Sequence, residues 1–207
     1  MKPSIDEALR YLGAGNGADE ALHAQLSALA RELEQRITPR FAWALTEVST
    51  LDLPGETAAQ LLADCREACV LVCTLGAEFD GWVRQLQLRD MGRAVMLDAL
   101  GSAYVEAGCD AAEDAIRARF PGKYLTDRFS PGYGDLPLTV QPRLIRLAGA
   151  ARLGVTLTDS LLMNPQKSVT AVVGLAGVPQ RARIRGCQAC VMRATCNLRK
   201  AGTPCHE

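Results

Sequence analysis

The chain has 207 residues, 48% of them apolar, which is enough for one sizeable core with at most a small appendage. Its 23 basic and 23 acidic side chains cancel, so no overall field gathers nucleic acid or an anionic membrane. Residues 1–7 lack the apolar core of a secretory leader, and no later stretch approaches the roughly 20 apolar residues that span a bilayer. A cytoplasmic protein is expected, and in that compartment its eight cysteines are not a disulfide framework.

Residues 5–12 read as a short helix, closed by the glycines of the 13–17 run. Asp19 then caps a longer helix whose Leu22, Leu26, Leu29, Leu33 and Ile37 recur at intervals of three and four. After Pro39, alternation of Phe41, Trp43 and Leu45 with smaller residues predicts a half-buried strand through Val48. Pro54 and Gly55 turn the chain into a helix over about 56–68. Residues 70–75 form an apolar, β-branched run read as a buried strand that Gly76 stops.

Cys65, Cys69, Cys73 and Cys109 lie in apolar sequence and are read as small core residues. Residues 78–119 read as helical with a break near Asp90, and the small Gly101, Ser102, Ala103 and Gly108 permit close approach of another element. Glu106 sits beside the apolar stripe of this helix and is a candidate site residue. Residues 124–129 are expected to be extended, Pro137 and Pro142 delay the next helix to about Arg143, and residues 155–157 and 168–175 read as strands joined through a turn at Asn164-Pro165. The fold class expected is α+β: helices packed around a curved, largely antiparallel sheet.

Residues 128–135, Arg-Phe-Ser-Pro-Gly-Tyr-Gly-Asp, combine a planar cation, a rigid turn, two glycines and an aromatic ring. Arg128 offers donors that match a carboxylate bidentately. Pro131 fixes one dihedral, Gly132 and Gly134 let bare backbone approach a ligand, and Tyr133 supplies a flat wall with a polar tip. Such a segment suits a small zwitterion. An arginine used in this way carries no core packing, so its removal is expected to spare the fold.

The composition changes after Pro179, and residues 1–179 and 180–207 are expected to be a folded domain and a cysteine-rich tail. Cys187, Cys190, Cys196 and Cys205 are separated by two, five and eight residues and lie among Arg181, Arg183, Arg185, Arg193, Arg199 and Lys200. The spacing is that of a ligand set, and positive charge favours the thiolate. An iron–sulfur cluster, structural zinc and a thiol/disulfide pair all remain open on spacing alone.

Taken together, Arg128, Gly132 and Tyr133, followed by residues 157–160 (Leu-Thr-Asp-Ser) and 163–169 (Met-Asn-Pro-Gln-Lys-Ser-Val), resemble the S-adenosylmethionine-binding activation domain of cobalamin-dependent methionine synthase. The resemblance runs from about Leu75 to Leu175. It implies that Arg128 pairs the methionyl carboxylate, that Ser130 and Gly132 offer backbone contacts, that Tyr133 packs on the nucleoside, and that Glu106 faces the cofactor. Where fused relatives carry a large aromatic residue, this chain has Val172, Val173 and Gly174, so Val173 and Gly174 become candidate pocket wall.

The reaction implied is reductive reactivation. An inactive cobalt(II) corrinoid gains one electron, and the cobalt(I) nucleophile takes the methyl group of S-adenosylmethionine. Having no recognisable cobalamin module, the chain would act on a separate cobalamin-carrying methyltransferase, with an electron donor as second partner. Because the reaction needs an electron, the resemblance favours an iron–sulfur cluster over zinc in the tail. Two other readings stand beside it: a non-catalytic module docking on a corrinoid protein with a structural zinc tail, and an ordinary methyltransferase acting on a small nucleophile.

Overall fold

The computed structural model describes residues 1–14, 18–180, 194–195 and 200. Four strands form one antiparallel sheet in the order β1 (Arg40–Glu47), β2 (Cys65–Thr74), β6 (Ser168–Ala176) and β3 (Tyr124–Leu125). Two-residue strands β4 (Thr156–Leu157) and β5 (Met163–Asn164) pair separately. Helices α1 (Ile5–Tyr11), α2 (Glu20–Arg36), α5 (Ala77–Gln87) and α6 (Met91–Arg119) cover one face of the main sheet, while α3 (Val48–Leu51), α4 (Glu56–Leu61) and α7 (Gln141–Leu147) lie on the other.

Burial on both faces explains why β2 is a continuous apolar run rather than an alternating one. Cys69, Leu71 and Cys73 join Ala171, Val173 and Leu175 in the core under α6. Ala68, Val70, Val72 and Val172 point the other way, into a second core with Leu51, Leu61, Phe129 and Leu144. The 29-residue α6 is the spine of the first core, and two of its glycines set how close it sits. A Cβ on Gly101 would lie 2.2 Å from the Phe79 ring, and one on Gly108 would lie 2.5 Å from Cys73 Sγ.

Asp19 caps α2 as expected, and Ser4 and Asp90 do the same for α1 and α6: each side chain accepts from the third backbone N–H beyond it. Cys65, Cys69, Cys73 and Cys109 are buried and form no disulfide, as core packing predicts. Burial, and secondarily Glu67, pushes the Cys69 thiol up to about 12.

Three expectations are corrected. The helix expected over 56–68 ends at Leu61, because residues 65–69 pair with β1 on one side and β6 on the other, and that pairing overrides their helix-forming composition. The helix expected from Arg143 begins two residues earlier at Gln141, with Pro142 in the first turn, where its missing N–H costs nothing. Residues 156–157 join β5 in the small separate sheet, not β6.

Candidate functional site

The site residues are brought together by the way the chain runs along the edge of β6. Tyr124 and Leu125 pair with Ala176 and Leu175. Thr126 follows, its N–H donating to the Gly174 carbonyl at 3.1 Å while its Oγ1 accepts from the Gly174 N–H at 2.8 Å. Phe129 then exchanges both backbone bonds with Val172, at 3.0 and 2.8 Å. Asp127 and Arg128 therefore stand opposite Val173 alone, which is a β-bulge, and a bulge re-aims the side chains it carries.

It delivers Arg128 to α6. Nη2 of Arg128 donates to Glu106 Oε2 at 2.7 Å, and Nη1 donates to Asp110 Oδ1 at 2.8 Å and to Glu113 Oε1. Glu106, Asp110 and Glu113 lie at i, i+4 and i+7, the spacing that stacks side chains on one helix face. The same face carries Asp98 two turns earlier and Ser102 one turn earlier, and both accept from Lys167 Nζ, at 2.9 and 2.8 Å. Two cations flanking β6 are thus docked along one polar ladder of α6.

Arg128 is largely buried, its side chain 10% exposed, and so is Glu113 at 9%; Glu106 and Asp110 are open at 42% and 65%. Burial disfavours the charge on Arg128. The neighbouring Cys109, Glu106 and Glu113 and the Asp110 hydrogen bond more than offset this, leaving the guanidinium above its ordinary pKa. Cys109 adds little of that charge at neutral pH, because its bond to Cys73 and its burial push its own thiol up. The carboxylates hold the cation. Among the described residues, the Arg128 Nε–H and one N–H of Nη2 make no hydrogen bond. Arg128 also holds a buried glutamate, so the expectation that it carries no structural weight is corrected.

Beyond Phe129 the chain makes a tight loop. The Tyr133 N–H donates to the Ser130 carbonyl at 3.2 Å, the Gly132 N–H to the Leu136 carbonyl at 2.8 Å, and the Leu136 N–H to the Tyr133 carbonyl at 3.1 Å. Gly132, at φ +90°, takes a backbone region that side chains avoid. Tyr133 is 70% exposed at the tip. Along the adjoining edge, ladder alternation points the peptide groups of Thr170 the same way as those of Val172, with no strand beside them among the described residues.

The structure therefore groups Arg128, Glu106, Ser130, Gly132 and Tyr133 around one edge of β6. Val173 is fully buried in the core beneath α6. Gly174 faces the opposite side, where an added Cβ would meet Cys65, Leu62 and Thr126, and neither residue reaches the surface beside Tyr133. Cys187, Cys190, Cys196 and Cys205 lie outside the described residues. Sequence reasoning gave Asp110, Glu113 and Asp135 no role; the i, i+4, i+7 spacing of acids after Glu106 was the available signal for the first two.

No family model and no curated protein matches the sequence. Among solved structures, the chain resembles the crystal structure of the MetH reactivation domain bound to AdoHcy. The two are 16% identical with a TM-score of 0.57, and the match covers 98% of this chain and 85% of that one. Over nearly its whole length, then, this chain has the α+β fold of the MetH reactivation domain, the resemblance that its Arg128–Tyr133 and 163–169 segments carried in sequence.

Proposed function

We propose that residues 1–179 bind S-adenosylmethionine at the β6 edge and present it to a separate cobalamin-carrying methyltransferase of the methionine synthase kind, in its reductive reactivation. The observation that carries the reading is the meeting of Arg128 and Glu106 at 2.7 Å beside the Gly132–Tyr133 turn, on a fold whose solved counterpart holds AdoHcy.

The residues present fit such a ligand. The two uncommitted N–H groups of Arg128 suit a carboxylate. Three carboxylates face that one guanidinium, so the cluster carries an excess of negative charge, matching the ammonium and sulfonium of the donor. Glu106 and Asp110, the two exposed acids, are the groups free to turn toward those charges. Tyr133 presents its exposed ring for stacking.

When bound, the donor supplies an electrophilic methyl group, lost as the sulfonium becomes a thioether. This chain's residues need only anchor and orient it; no acid, base or covalent nucleophile is required. The tail cysteines Cys187, Cys190, Cys196 and Cys205 are proposed to hold an electron-relaying iron–sulfur cluster: their spacing suits a ligand set, and the electron that reactivation requires favours a cluster over zinc.

Two measurements test the proposal. Calorimetric titration should give tighter binding of S-adenosylmethionine than of S-adenosylhomocysteine, with the difference reduced in Glu106→Gln. Mixing the protein with a cobalt(II) corrinoid protein, S-adenosylmethionine and a strong reductant should form methylcobalamin faster than the mixture without it. Equal rates, with no donor binding, would leave the non-catalytic docking module as the better account.

A further inference from the structure

The loop that displays Tyr133 is tied down at a distant point in the sequence. Asp135, 79 residues from Glu56, reaches the first turn of α4. Its carboxylate accepts from the Glu56 N–H, and from the Thr57 N–H at 3.2 and 3.3 Å. Hydrogen bonds, first from the Thr57 side chain and then from these amides, hold the Asp135 carboxyl below its ordinary value of 3.8.

The α4 side is shaped to receive it. Gly55 has φ +104°, and a Cβ there would lie 2.6 Å from Asp135 Cγ and Oδ1. Only a residue without a side chain leaves that space. The two segments also touch one residue earlier, where a Cβ on Gly134 would lie 3.4 Å from Thr57 Oγ1.

Neither apolar packing nor the ring at the tip explains this contact. Asp135 is exposed and contributes nothing to either core, and Tyr133, mostly in solvent, makes no hydrogen bond through its hydroxyl among the described residues. Phe129 and Leu136 anchor the two ends of the loop in the second core. Between them, the Asp135 side chain ties the loop to α4 through the Glu56 and Thr57 amides.

We propose that Asp135 is a positioning residue: its latch onto Gly55, Glu56 and Thr57 holds the Gly132–Tyr133 turn in the pose that receives the donor. The proposal rests on the reading of residues 128–134 as the donor site. Its ligand is the same sulfonium nucleoside or its thioether product.

The test uses the full-length protein and its Asp135→Ala, Asp135→Asn and Gly55→Ala variants, titrated with S-adenosylhomocysteine, which cannot transfer a methyl group. Unfolding midpoints and the amide NMR signals of Glu56, Thr57 and Gly132 are recorded on the ligand-free proteins. Asp135→Ala should bind about tenfold more weakly, the scale of a lost capping interaction. Asp135→Asn, which keeps one carbonyl acceptor, should recover part of that loss. Gly55→Ala, which displaces the carboxylate from the other side, should weaken binding similarly with Asp135 intact.

A purely structural cap would lower the unfolding midpoint and leave the affinity alone. The inference is overturned if Asp135→Ala or Gly55→Ala shifts the Glu56 and Thr57 signals yet binds as the wild type does. It is equally overturned if affinity falls without recovery in Asp135→Asn. Wild-type protein that binds neither donor nor product removes the donor-site reading itself and this inference with it, an outcome separated from the others by the wild-type titration alone.

Discussion

Arg128→Ala is the substitution on which site and fold give linked predictions. The pair Arg128–Glu113 is buried on both sides, and a charge-assisted hydrogen bond in that setting contributes about 1.5–3 kcal/mol. Glu106 and Asp110 are more exposed, and their bonds add at most about 1 kcal/mol each. Stranding a buried carboxylate outright costs about 3–5 kcal/mol, but Glu113 keeps Arg117 at 3.0 Å, which limits the penalty. The total is about 3 kcal/mol. For a chain of this length that lowers the unfolding midpoint by roughly 6–12 °C. Adding Glu113→Gln should recover part of the stability, because a neutral amide tolerates the loss of its cation. Titrated well below its midpoint, Arg128→Ala should bind the donor about tenfold to a hundredfold more weakly, and Arg128→Lys should fall between, keeping the charge without the fork. Scanning calorimetry and titration calorimetry on the same samples decide the matter. A midpoint within about 2 °C of wild type and an unchanged affinity would refute both the structural and the binding role.

Three further outcomes are expected. Site-resolved alkylation of native protein at pH 8 should leave Cys69 unmodified, since a thiol pushed up to about 12 has about one molecule in ten thousand ionised there; labelling only after denaturation checks this. Gly101→Ala should destabilise despite the better helix former: alanine gains about 1 kcal/mol in a helix, but its Cβ meets the fully buried Phe79 ring, and overpacking costs about 1–3 kcal/mol, so chemical denaturation should show a net loss. Protein purified without oxygen should contain iron and sulfide and lose both on Cys187→Ser or Cys196→Ser; stoichiometric zinc without iron would assign the tail to the structural-metal alternative.

What could be read from the sequence was what is local. The cap at Asp19, the break at Asp90, the period of α2 and the apolar run of β2 depend on neighbours within a few residues. The start of β2 did not, because residues 65–69 become a strand only through partners at 45–47 and 173–176. The same division applies to the site. Arg128, Ser130, Gly132 and Tyr133 are contiguous and were legible as a group. Asp110 and Glu113 matter only because a one-residue bulge turns Arg128 onto α6, and Asp135 only because α4 comes to meet it. Val173 stands next to Val172 in sequence, but strand parity sends the two side chains into different cores. Nothing short of the register reveals which.

That parity has a consequence for how the molecule would respond to a ligand. Arg128 and Phe129 are adjacent in the chain, yet Arg128 is fastened to α6 on one side of the sheet and Phe129 is sunk among Leu136, Leu144 and Val172 on the other. A molecule gripping residues 128–133 therefore pulls on the apolar clusters of both sheet faces at once. Hydrogen exchange should register the coupling: saturating ligand should slow the amides of α4 and α7 as well as those of the middle of α6, although the sheet lies between them. In free protein the two sides should open with different free energies; in the complex they should open together.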